Sequence, residues 1–559
     1  MKATRNTLIL VWVLAATCGL PNVKAEFTFG KPVNIGPIVG GDEFVVCLSY
    51  DGLEMYVQVW DWPGGQGDWD FWVLRRTAIG QPWGTPENLG PAVNSPNRDG
   101  AASISADGLT FYFFSSNRPG GYGNNDIYMA TRATKNDPWG EAVLLGPPIN
   151  RISSAANDGR PWISPDGLEL YFVSRRSGGS GEGDIWVSRR ATENDPWGTP
   201  VNLGPGVNTS YEDVFPCLSP DGLLLFFCDA PTSWAKEPRP GGYGACDMWM
   251  ARRASVSDPW QAPVNLGPTV NNSADGAVPR ISPDGRTLYF WSNQGGFASP
   301  NWQAPIIPIV DFNGDGKVDG KEVLGLVEHW GEDYPLGDIG PFAWGDGTVD
   351  VNDLKVLAEY LGKDVEDPTL VAHWAFDETE GTVAKNSAGG QDAALVGSPV
   401  WQPAGGQVGG ALAFDGIKDF GFATVTLNPL GRPFSALAWV KGGAPGEVVL
   451  AEQNGRNWLL VDSATGCLAT ALNSPGRPGA VLTSLAVITD GQWHRIAVVW
   501  DGTYRMLYVD EKEVARDVLP VLELSSVRLA LGGGSNLAPV SFWSGVIDDI
   551  RIYNRAVKP

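Results

Sequence analysis

The chain has 559 residues, with 63 Asp and Glu against 40 Lys and Arg and a formal net charge of −23, which argues against nucleic acid or an anionic membrane as partner. Its length leaves room for three or more domains, and 71 Gly, 43 Pro and 24 Trp point to many short strands joined by turns. Three histidines, no G-x-S-x-G elbow and no HExxH motif leave serine and zinc hydrolase chemistry without support.

At the N-terminus, Lys2 and Arg5 precede an apolar run from Leu8 to Ala16, and Val23-Lys24-Ala25 offers a small-residue cleavage site. Residues 1–25 therefore read as a secretory signal peptide, since the run is too short for a bilayer core of about 30 Å. The expected location is extracellular or cell-surface. One of six cysteines lies in this segment, so an odd number remains and the chain is no disulfide scaffold. Cys228–Cys246 is the pair to test against buried free thiols.

Residues 26–305 repeat. The turn dipeptides Asp51-Gly52, Asp107-Gly108, Asp166-Gly167, Asp221-Gly222 and Asp284-Gly285 recur at a period of about 55 to 63 residues, mostly within Ser-Pro-Asp-Gly. Each is followed by an aromatic strand such as Phe111-Tyr112-Phe113-Phe114 and a Gly-rich loop. An acidic-apolar-aromatic strand start (Asp70, Asp126, Asp184, Asp247) and a W-x-x-P-x-N-L-G strand come next. Four strands per repeat predict one blade each of a five-bladed β-propeller. Phe29 to Gly36 carries the fourth-strand pattern with no blade before it, and the fifth copy stops at Asn301-Trp302. The N-terminal strand is thus expected to complete the last blade; in the alternative, Trp302 to Pro305 is that fourth strand. These repeats resemble the WD-like propeller repeats of the TolB type.

An acid recurs eight or nine positions before each turn, at Glu43, Asp99, Asp158, Asp213 and Asp275. These residues are candidates for a ligand-binding carboxylate ring at one mouth of the channel, and a pair could act on a glycosidic bond. The competing reading ties strand ends to neighbouring backbone in every blade alike.

Residues 306–363 contain D-F-N-G-D-G-K-V-D-G-K-E, which sets Asp311, Asn313, Asp315, Asp319 and Glu322 at positions 1, 3, 5, 9 and 12 of a calcium loop. Gly316 falls at the sharp turn and the Lys317 carbonyl at position 7. A second copy retains Asp346, Asp350 and Asp353 at positions 5, 9 and 12 but has Phe342 and Trp344 at positions 1 and 3; Asp338 could substitute across the Gly340-Pro341 insertion. Helices are expected from Val323 to Trp330 and from Leu354 to Leu361. Two loop-helix units resemble a dockerin domain, which implies Ca²⁺ as cofactor and a cohesin-like or surface protein as partner.

After a linker at 364–369, residues 370–559 alternate as in Arg495 to Trp500 and contain Trp374 to Glu378, Gly409 to Gly416, Ala438-Trp439-Val440, Asp490 to His494 and Gly545 to Tyr553. This series resembles a laminin-G-like, concanavalin A-type jelly roll, a β-sandwich. The resemblance implies a structural calcium at Asp377 and Asp548. No E-x-D-x-x-E motif of the glucanase members occurs, which favours binding over hydrolysis, with Trp401, Trp458 and Trp543 as candidate sugar platforms or core residues.

The combined expectation is a mainly β, secreted, non-catalytic binding protein for a polysaccharide or cell-surface glycan, with a small α-helical calcium module between its β domains. The alternatives are an extracellular polysaccharide-degrading O-glycosyl hydrolase, and a structural cell-envelope protein.

Overall fold

A computed structural model describes residues 27–559 except 41, 154–156, 231–238, 245, 274, 295–300, 366, 428–432, 474–480 and 523–525. The expected signal peptide lies outside the described residues. Among those described, no helix is long and apolar enough to cross a membrane.

Each Ser-x-Asp-Gly turn forms because a Ser hydroxyl and an Asp carboxylate close it. Ser105 Oγ donates to Asp107 Oδ1 and accepts from Thr110 N, while Asp107 Oδ1 accepts from Leu109 N. Gly108 takes φ 76°, which favours glycine. Ser49, Ser164, Ser219 and Ser282 repeat this device. Each turn joins an innermost strand to the second strand of a four-stranded antiparallel blade. The innermost strands are Glu43–Leu48, Asp99–Ile104, Asp158–Ile163, Glu212–Leu218 and Gly276–Ile281. Second-strand aromatics such as Tyr56, Phe111, Tyr171 and Phe226 are buried between blades, each worth about 1.5–3 kcal/mol of apolar burial.

The ring closes with the N-terminal strand. Val33–Asn34 and Phe27–Phe29 both pair with Asn301–Pro308, in the registers Val33↔Gln303 and Phe27↔Pro308. Asn301–Pro308 is the third strand of blade five, so the alternative that made it the fourth is overturned. The strand also carries the blade to Pro308, three residues past the expected boundary.

The seam differs chemically from the other joints. Elsewhere Asn94, Asn150, Asn208 and Asn271 each accept from and donate to one residue of the preceding third strand. At the seam, the Asn301 side chain instead reaches Val45 N and Glu43.

Helix α1 (Gly320–Glu328) and helix α2 (Val351–Tyr360) each begin directly after a loop, capped by Asp319 and Asp350. Both start about three residues earlier than the apolar pattern suggests, because capping boxes with Glu322 and Asp353 recruit the first turn.

The C-terminal domain is a sandwich of two eight-stranded sheets. Its last strand, Ser544–Tyr553, lies in the middle of one sheet between Ala411–Asp415 and Phe434–Gly442. Trp374, Trp458 and Trp543 are fully buried in the core between the sheets.

The helical unit touches both β domains. Trp344 is 2% exposed within the propeller's core cluster, and its indole Nε1 donates to Asp221 Oδ2 at 2.6 Å. Phe342 stacks on it with ring centroids 5.0 Å apart. On the other side, Arg495 donates to the carbonyls of Asn313 and Gly314, Tyr553 to that of Gly314, and Arg555 to that of Asp311.

Candidate functional site

In the first loop, Gly314 and Gly316 adopt φ of 68° and 84°, turning the chain so that its amides converge on Asp311. Asp311 Oδ1 accepts from Gly314 N and Asp315 N, and Oδ2 from Gly316 N. Asn313 accepts from Asp315 N, and Asp315 from Lys317 N. The Lys317 backbone lies in a short antiparallel bridge to Asp364. Asp319 caps α1, and Glu322 Oε2 accepts from Asp319 N.

The other carboxylate oxygen, Glu322 Oε1, is buried without a partner. Burial, reinforced by Asp311 and Asp315, raises Glu322 to about 7, against backbone hydrogen bonds that lower it. Burial likewise raises Asp311, against the nearby Arg555. Among the described residues no three His, Cys, Asp or Glu side chains are gathered in metal-ligating positions; the loop acids turn onto their own backbone amides. The donor set is nevertheless all hard oxygen, and the orphaned Glu322 Oε1 stands at the position where a calcium loop supplies a bidentate ligand. These residues fit a calcium ion.

The second loop is built differently. Asp338, 0% exposed, accepts from Asp346 N and Gly347 N and so takes the first-position role that Asp311 plays. Asp346 accepts from Thr348 N, and Asp350 caps α2. Asp353 receives Asp350 N on one oxygen, and Ile339 N and Gly340 N on the other. The oxygen left orphaned at Glu322 is therefore satisfied at Asp353 by two backbone amides. Phe342 and Trp344, at the two positions that cannot ligate, are the side chains that enter the propeller.

In the jelly roll, the Gly406–Gly410 segment wraps the expected pair. Asp548 Oδ2 accepts from Gln407 N and Val408 N, and Asp377 Oδ1 from Gly410 N. A Cβ on Gly406 would lie 2.6 Å from Asp548 Oδ2, and one on Gly409 2.3 Å from Asp377 Oδ1. Asp548 Oδ1 is buried without a partner, and burial, with Asp549 and Asp377 adding, raises the carboxyl to about 7. This second cradle also fits a cation.

The five repeated propeller acids each stand at or beside the start of an innermost strand, but not as an open ring. Glu43, Asp99, Asp158 and Asp213 are 0% exposed. Glu43 accepts from Val39 N and Gly40 N, Asp99 from Ser95 N, and Asp213 from Thr209 N. Asp158 is held by Arg151, Arg176 and Ser174, and Asp275 by Asn293. In place of an open ring, Glu43, Asp99, Asp158 and Asp213 are buried acids that anchor the loops before them, Asp99 keeping one buried oxygen without a hydrogen-bond partner, and the partly exposed Asp275 is tied to Asn293.

Of the three candidate tryptophans, Trp458 and Trp543 are core, while Trp401 is half-buried with its indole donating to Gly381 O. The aromatic surface lies elsewhere. Phe420 and Phe422 are partly exposed on the outer side of Phe420–Thr426, and the Arg528 guanidinium sits 4.1 Å from the Phe422 ring. The alternation Phe420-Gly421-Phe422-Ala423 was the available signal. His494 lies between Asp510 and Asp490, and the five described cysteines are free thiols, including Cys228 and Cys246.

Residues 419–559 match the concanavalin A-like lectin/glucanases superfamily. No curated protein matches the chain. Among solved structures, a Trypanosoma rangeli sialidase in complex with the inhibitor DANA aligns over 94% of this chain and 95% of its own, at 11% identity and a TM-score of 0.43. Domain 4 of AbnA, an extracellular GH43 arabinanase from Geobacillus stearothermophilus solved with arabinotriose, aligns over 34% and 94%, at 19% identity and 0.28. A TolB-type protein from Agrobacterium tumefaciens aligns over 49% and 76%, at 18% identity and 0.28. At these scores the three likenesses say nothing about activity.

Proposed function

We propose that this is a secreted, non-catalytic carbohydrate-binding protein whose jelly roll engages a glycan and whose calcium loops hold the molecule in its working arrangement. The observation that carries the reading is the lectin/glucanase-type sandwich, matched over residues 419–559, with Phe420, Phe422 and Arg528 on an outer sheet face. Aromatic rings beside a guanidinium suit the apolar face and hydroxyls of a sugar. Asp311, Asn313, Asp315, Asp319, Glu322 and the Lys317 carbonyl would hold calcium in the first loop, and Asp377 and Asp548 in the jelly roll. A bound ion would supply positive charge beside the buried carboxylate oxygens of Glu322 and Asp548 that have no partner.

A cohesin-like or other protein partner would meet the outward stripe Leu324, Val327 and Trp330 of the α1 region, each about half exposed. The loops themselves are occupied by contacts within the chain.

The test is retention of the full chain on a panel of immobilised polysaccharides with calcium present, scored together with release of reducing sugar. Retention without release is expected. Phe422→Ala should weaken retention about tenfold, the scale of one stacking contact of 1–1.5 kcal/mol. Sugar release by the purified chain would overturn the non-catalytic reading.

A further inference from the structure

The blades repeat in frame but not at two positions per blade, and those positions converge on one cavity. The residue just before each anchoring acid is Asp42, Arg98, Asn157 or Glu212 in blades one to four. In blades two to four it bridges to the start of the third strand of the preceding blade: Trp69↔Arg98, Asn125↔Asn157 and Gly183↔Glu212. In each innermost strand a bulge interrupts the pairing to the second strand, and in blades two to five it holds a non-glycine residue at positive φ: Ala101, Arg160, Phe215 and Val278. A bulge re-aims the side chain it carries. Only in blade three is that side chain charged.

Arg98, Asn157, Arg160, Arg175 and Glu212 line a cavity of about 130 Å³ with Phe114 in its wall. Three guanidiniums thus face one carboxylate in a protein whose formal net charge is −23. Glu212 pairs with Arg175. Arg98 and Arg160 make no ion pair or guanidinium hydrogen bond among the described residues; their neighbours are rings, Phe114 at 5.7 Å and Phe215 at 4.7 Å. Burial lowers the proton affinity of Arg160, opposed by the nearby Glu212 carboxylate and reinforced by the like charges of Arg98 and Arg175; Arg98, an exposed residue with its guanidinium partly shielded, shifts the same way. The nearby Asp158 is already neutralised by Arg151 and Arg176.

We propose that this cavity on the propeller face binds the carboxylate of an acidic sugar, a uronic acid residue, with Arg98 and Arg160 on the carboxylate and Asn157 and Glu212 on ring hydroxyls. A planar fork of N–H donors matches a carboxylate. Glu212 and Asn157 supply acceptors that a bare inorganic anion would not use, and Phe114 gives an apolar wall for a sugar ring. The site is separate from the jelly-roll surface and does not depend on it.

The probes are glucuronate, galacturonate and oligogalacturonate, with glucose, galactose and inorganic sulfate as controls, titrated calorimetrically into the full chain. Saturable uronate binding is expected, with the neutral hexoses and sulfate at least about tenfold weaker. Arg160→Gln and Arg98→Gln should each weaken uronate at least about tenfold, as loss of a charge-assisted bidentate contact does. Both variants must keep the parent melting temperature, and Arg98→Gln, which changes no residue at positive φ, serves if Arg160→Gln does not fold. Glu212→Gln should raise affinity for sulfate and narrow its gap from uronate. Phe422→Ala should leave uronate binding intact while it weakens polysaccharide retention, which separates this site from the jelly roll. Binding of free uronate and oligomer alike supports a site for any exposed uronate, and binding of the oligomer alone supports one for chain residues, provided either is lost in Arg98→Gln. Absence of uronate binding, equal binding of neutral hexose, equal binding of sulfate, or insensitivity to both arginine changes would overturn the proposal.

Discussion

Glu322 and Asp353 stand at the twelfth position of two related loops, and their surroundings give them opposite roles. Glu322 keeps one buried oxygen without a partner, whereas Asp353 has three amides on its two oxygens. Glu322→Gln should therefore weaken calcium binding at least about tenfold, about 1.4 kcal/mol, and abolish most of the rise in melting temperature that calcium produces. Asp353→Asn should leave the calcium titration nearly unchanged while costing about 1–3 kcal/mol of stability, because the new amide N–H faces backbone donors. Calorimetric calcium titration beside thermal unfolding checks both. The two loops and the helices that follow them were legible from spacing, because a loop of this kind is a local pattern. The sequence offers Asp338 as the substitute at the first position of the second loop, and the amides of Asp346 and Gly347 on its carboxylate match that reading. The burial of Glu43, Asp99, Asp158 and Asp213 was not legible: an acid that anchors a loop and one that lines a mouth can share a repeat position, and only the loop folded over it tells them apart.

At the level of elements, the blades were readable because each carries its own turn and aromatic strand, a pattern written five times, and four of them add an acidic strand start. The contact between the helical unit and the propeller was not, since it joins Trp344 to Asp221 more than a hundred residues away. Phe342 and Trp344, which look like damage to a calcium loop, are the side chains that seat the unit against blades four and five. Trp344→Ala should cost about 3–5 kcal/mol through the cavity and the freed Asp221 oxygen. It should also expose the junction that follows Pro308 to limited proteolysis, with loop-one calcium binding unchanged. Loss of calcium binding in that variant would instead mean that the two loops fold as one unit.

For the whole molecule, the first loop presents its carbonyls to Arg495, Tyr553 and Arg555, so its conformation and the seating of the jelly roll are one structural fact. Chelation should loosen that seat while the Trp344 contact holds the helical unit on the propeller. Small-angle scattering of the full chain should then give a larger radius of gyration in chelator than in calcium, returning on addition of the ion. Identical scattering in both would show that the arginine contacts hold the jelly roll without it.

The strand that closes the propeller has a consequence in time. Val33 and its partner Gln303 are separated by about 270 residues of chain, so the earliest propeller segment to be synthesised must wait, unpaired, for nearly the latest. During synthesis the first four blades can form behind it, but the ring stays an open crescent with a bare edge on its last blade until the two ends meet, a loop closure that slows folding and invites mispairing between copies. An N-terminal tag or trimming protease that delays the strand at Val33 would thus act on assembly of the whole ring, far from any site at which the finished protein binds.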